Sequence, residues 1–94
     1  MTREIINQLS ERLQQDPYDP MLLLNLSAQL RRANDVESSS DLLLRCSRVY
    51  KDQGELDRAI ACLHQLLRFD PNNTNAITRL RRLSRMVEDC HTSD

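Results

Sequence analysis

The sequence predicts an all-α protein: about five antiparallel helices in a single domain over residues 1–94. Two observations predict it. Apolar residues recur three and four apart along most of the chain, which is the spacing of one helical face. The strongest turn-formers fall between those stripes: Gly54, the only glycine, and Pro17, Pro20 and Pro71, the only prolines.

Helix one is expected from Arg3, with Ile5, Ile6, Leu9 and Leu13 as its stripe. Asp16-Pro17 closes it, because the residue before a proline is pushed out of the helical region. Helix two is expected over Pro20 to Asn34, with Leu23, Leu26, Ser27 and Leu30 on its inner face. The stretch NDVESSS, Asn34 to Ser40, follows. Either Val36 onwards begins helix three early, or a loop spans the gap. Helix three carries Leu42, Leu43, Cys46, Val49 and Tyr50, and Asp41 with the serines before it offers N-cap oxygens. Gly54 supplies a tight turn where the left-handed conformation costs glycine little. Helix four holds Leu56, Ala59, Ile60, Leu63, Leu66 and Leu67, and Asp70-Pro71 stops it. Asn72-Asn73 then caps helix five, Thr74 to Glu88, whose stripe is Ile77, Leu80, Leu83 and Val87. Residues 89–94 are expected as a disordered tail.

The segment 40–73 resembles a tetratricopeptide (TPR) repeat, a helix-turn-helix unit of about 34 residues that stacks on its neighbours. Tyr50, Gly54, Ala59 and Pro71 stand where that signature wants a tyrosine, a turn residue, a small alanine and a closing proline. Leu43, Leu63 and Leu66 replace a tryptophan, an aromatic and a small residue, and Ser47 stands at the closest helix approach. Residues 3–34 and 74–88 resemble partial repeats. The resemblance implies a right-handed superhelix of hairpins that binds proteins and catalyses nothing. The parity departs from the family's pattern, since helices two and three both look like first helices of a repeat. Arg81 occupies the close-packing place in helix five, which predicts a solvated C-terminal cap.

Composition narrows the function classes. A net charge of −1 argues against a general nucleic-acid binder. No window approaches the roughly 20 apolar residues that span a bilayer, so no membrane insertion is expected. Three cysteines without close pairing predict reduced thiols and a cytoplasmic location. There is no phosphate loop, nucleophile elbow or paired-carboxylate arrangement, so no catalytic residue and no cofactor is predicted. Cys62 and His64 face opposite sides of a helix and Cys90-His91 lies near the end, so no four-ligand metal set is in view.

In TPR arrays the first helix of each repeat lines a concave groove. By that correspondence Met21, Leu24, Asn25 and Ala28 line it from helix two. Leu44, Arg45 and Arg48 line it from helix three, and Thr78, Arg79 and Arg82 from helix five. The triplets Leu22-Leu23-Leu24 and Leu42-Leu43-Leu44 exceed what one buried stripe needs, which makes Leu24 and Leu44 candidates for exposed contact. Arginines beside them suit an acidic or amphipathic segment of a partner protein. The groove resembles the carboxylate-clamp TPRs that grip chaperone C-termini, and so a co-chaperone-like adaptor. Asn25 and Arg79 fall in matching places, but the lysines of that clamp do not. The alternative is a scaffold role in assembly, as a homo-oligomer or within a larger complex.

Overall fold

A computed structural model describes residues 2–92 of the chain, and the side chains of residues 3–89. It consists of five helices: α1 (Thr2–Gln15), α2 (Pro20–Arg32), α3 (Val36–Asp52), α4 (Leu56–Phe69) and α5 (Thr74–Thr92). Among the described residues there is no strand. The extensive packing is between helices consecutive in sequence, strongest where α3 meets α2 and α4. The fold is thus an all-α, TPR-like helical array.

Helix starts follow from capping. Asp19 accepts from the backbone N–H groups of Met21 at 2.9 Å and Leu22 at 3.4 Å, and Pro20 sits where its missing N–H is not needed. Asn73 accepts from the N–H of Ala76 at 3.1 Å and so begins α5. Helix three begins earlier than Asp41. Its N-cap is Asp35, which accepts from the N–H of Ser38 at 3.2 Å, so Val36 onwards is helix and no loop spans 34–40. The serines are helical rather than capping. Ser39 and Ser40 are buried, and the Ser39 hydroxyl donates to the Ser27 carbonyl of α2 at 2.8 Å. Helix α5 continues through Thr92, so the tail expected from residue 89 is helical as far as 92; residues 93 and 94 lie outside the described residues.

The two short turns on either side of α3 have the same form. Asn34 at φ 65° and Gly54 at φ 78° are the left-handed residues. Asn34 N–H bonds to the Arg31 carbonyl at 3.0 Å, and Asp35 N–H to that of Leu30 at 2.9 Å. Gly54 N–H bonds to Lys51 at 3.0 Å, and Glu55 N–H to Tyr50 at 2.8 Å, repeating the pattern. This resolves the odd parity. Helix α3 is the second helix of the hairpin closed by Asn34 and the first helix of the hairpin closed by Gly54.

The core runs along α3 and α4: Leu43, Cys46, Ala59, Leu63 and Leu66 are almost wholly excluded from solvent, with Leu23 of α2 and Ala76 of α5. The Cys62 thiol donates to Cys46 Sγ at 3.5 Å, and the Cys46 thiol to the Pro20 carbonyl at 3.7 Å. The neighbouring Cys62 thiol, and then burial, push Cys46 well above the ordinary thiol range, so it stays protonated. At the other end of α3, Asp70 accepts from the Ser40 hydroxyl and from Asn73 Nδ2, both at 3.1 Å. The Asp-Pro-Asn-Asn turn is thereby tied to the second turn of α3.

Candidate functional site

Helices α3 and α5 are not joined by a turn, yet both wall one cavity of about 220 Å³. Ser47, Arg48 and Lys51 come from α3, and Arg79, Arg82, Leu83 and Met86 from α5. The spacing explains the convergence. Arg48 and Lys51 are three apart, as are Arg79 and Arg82, so each pair lies on one face of its helix. None of the lining residues is acidic.

Arg79 is held in place by the fold. Its Nη1 donates to the Leu44 carbonyl of α3 at 2.9 Å, and the Ser47 hydroxyl donates to the same oxygen at 2.7 Å. Partial burial, and then the nearby charge of Arg48, press Arg79 below the ordinary guanidinium range. It stays charged, because a guanidinium does not lose its proton in a protein. Of its five donors one is used on Leu44, and the plane of the remaining fork is fixed.

Arg48 also lines a second recess of about 400 Å³, with Pro17, Tyr18, Arg45, Val49 and Asp52. The two recesses share Arg48 as a lining residue. Tyr18 is 70% exposed on the α1–α2 turn, although the spacing of apolar residues gave no reason to single it out.

The residues expected in a groove are distributed as follows. Arg48, Arg79 and Arg82 share the first cavity, and Arg45 lies in the second. Met21, which is 57% exposed, half-buried Leu24 and exposed Asn25 line neither of them. Half-buried Ala28 and exposed Thr78 also line neither. Leu44 is not an exposed contact. It is 8% exposed and belongs to the core, because α3 is packed by α2 and α4 and touched by α5, and needs a wide apolar arc. Lys51, Leu83 and Met86 join the cavity unforeseen. Lys51 was legible: it lies one turn beyond Arg48 on the same face.

Among the described residues no cluster of three or more metal-ligating side chains occurs, and Cys46 and Cys62 are free buried thiols. Exposed His64 lines neither cavity, and the side chains of Cys90 and His91 lie outside the described residues. Among the described residues no helix is long and apolar enough to cross a membrane.

No family model matches the sequence, and no curated protein matches it. Solved structures do resemble the fold. One similar structure is the first TPR of Spaghetti (RPAP3) bound to the HSP90 peptide SRMEEVD. It has 20% sequence identity and a TM-score of 0.50, covering 93% of this chain and 80% of that chain. At that identity the likeness establishes the fold alone.

Proposed function

We propose that this chain is a non-catalytic protein-interaction module that holds an acidic segment of a partner protein between α3 and α5. One observation carries the proposal: Arg48, Lys51, Arg79 and Arg82 converge on a single cavity whose lining has no carboxylate. Cations gathered without internal counter-charges raise the local concentration of anionic ligands and select for them. Leu83 and Met86 provide an apolar wall for the aliphatic part of such a segment. The TPR-like fold supports the same reading, and the similar solved structure holds the acidic peptide SRMEEVD. A cytoplasmic adaptor role accords with free buried thiols. The rest of a co-chaperone clamp is not proposed, since Asn25 lines neither recess and Arg79 is partly engaged by Leu44.

The test is retention of a degenerate pool of acidic peptides with a fixed glutamate core, SRMEEVD among them, by the immobilised protein. Arg48→Glu/Arg82→Glu should reduce retention at least tenfold, while helicity by circular dichroism stays unchanged. Both side chains are exposed, so the fold tolerates the change. Equal retention by wild type and variant would refute the groove. Arg79 is left intact because it supports Leu44.

A further inference from the structure

The number and placement of the cations say more about the ligand than that it is acidic. Four cationic side chains line one partly open recess of about 220 Å³, two from each of two helices. A single carboxylate presents one charge and two oxygens in one plane, and would leave most of those donors unmatched. A phosphoryl group carries about −1.5 to −2 charges at neutral pH and three acceptor oxygens pointing in different directions. It can therefore be gripped from both walls at once. Arg79 gives a fork already fixed in direction by the Leu44 carbonyl, and Arg48 and Arg82 supply two more guanidinia, the group suited to bidentate contact with phosphate. Lys51 adds a mobile point charge, and Leu83 and Met86 cover the carbon chain that bears the phosphoryl group. A dianion between the helices also relieves the repulsion between Arg48 and Arg79.

We infer that the cavity between α3 and α5 recognises a phosphorylated side chain in the partner segment, the α3 and α5 cations gripping the phosphoryl oxygens while Leu83 and Met86 receive the residue's aliphatic part. This rests on the proposed peptide groove and deepens it. Binding is non-covalent, and partner phosphorylation by another enzyme becomes the switch for docking.

The decisive experiment uses three peptide pools with identical acidic random flanks and a central serine, glutamate or phosphoserine. Phosphoserine peptides should be retained at least tenfold better than glutamate peptides and should be displaced by inorganic phosphate. Arg48→Gln/Arg82→Gln should erase that difference. Binding of a selected phosphopeptide should also strengthen as pH rises from about 5 to about 7, following the second phosphate ionisation near 6, while binding of its glutamate counterpart should not. The groups facing the phosphoryl group are Arg48, Lys51, Arg79 and Arg82. From α4, which packs on both helices, Asp57, Arg58, Cys62, His64 and Arg68 do not line the cavity. Equal retention of glutamate and phosphoserine pools, both lost in the variant, overturns this inference and leaves the groove standing. Retention of no pool overturns both.

Discussion

Asn34 and Gly54 perform the same task with different chemistry. Both hold a left-handed backbone, at φ 65° and φ 78°, and each ends a helix through the same pair of backbone hydrogen bonds. Glycine enters that region without penalty, and asparagine is among the few side chains that tolerate it. An alanine does neither. A β-carbon at Gly54 would meet no atom within 4 Å, so the cost of Gly54→Ala is conformational rather than steric. Gly54→Ala and Asn34→Ala should each destabilise the fold by about 1 kcal/mol. For a domain of this size that lowers Tm by about 4–8 °C. Asn34→Gly should cost nothing. Thermal circular dichroism on the three variants measures this. If Gly54→Ala is costly and Asn34→Ala is neutral, the two turns are not equivalent. Asparagine's tolerance of that conformation was the available signal at residue 34, but a turn marked by glycine is easier to see than one marked by asparagine.

At the scale of elements, α3 is the member that the rest of the array is built on. Its buried surface includes Ser39, Ser40, Leu43, Leu44, Cys46, Ser47, Val49 and Tyr50, which is wider than one stripe because α2 and α4 both pack against it. That width explains what the sequence did and did not disclose. Pro17, Pro20, Gly54 and Pro71 bound α1, α2 and α4, and Asn73 caps α5, so their positions were legible to within a residue or two, except at the C-terminal end of α5. The first turns of α3 carry Glu37 and three serines, which periodicity scores as polar loop. Two of these serines are buried, the Ser39 hydroxyl satisfied by the Ser27 carbonyl of α2 and the Ser40 hydroxyl by Asp70. The same misjudged width made Leu44 look spare. A test follows from the Ser39 contact. Ser39→Ala should cost about 1 kcal/mol for the lost buried hydrogen bond, and Ser39→Leu about 1–3 kcal/mol for overpacking. Urea denaturation separates them. A leucine tolerated as well as the alanine would mean that α2 and α3 have room to spare, and the double role of α3 would fail with it.

Over the whole molecule the charges nearly cancel, with 13 basic and 14 acidic residues, but they are not evenly mixed. Helix α5 alone carries Arg79, Arg81, Arg82 and Arg85, and two of these face Arg48 and Lys51 of α3 across the cavity. Folding therefore holds like charges together that an unfolded chain would let drift apart. The consequence is an opposite response of stability and binding to salt. Raising sodium chloride from about 20 mM to about 300 mM shortens the screening length from roughly 20 Å to roughly 6 Å. Repulsion across the cavity then weakens, and Tm of the free protein should rise by a few degrees, while retention of an acidic peptide should fall severalfold. Arg48→Gln/Arg82→Gln removes half of the facing cations. It should raise Tm at low salt and flatten the salt dependence of both quantities together. Calorimetry and peptide retention on the same two proteins provide the comparison. If Tm of the wild type instead fell with salt, attractive pairs elsewhere would dominate the electrostatics, and the α3–α5 cavity would not be the place where the fold stores charge for a ligand to neutralise.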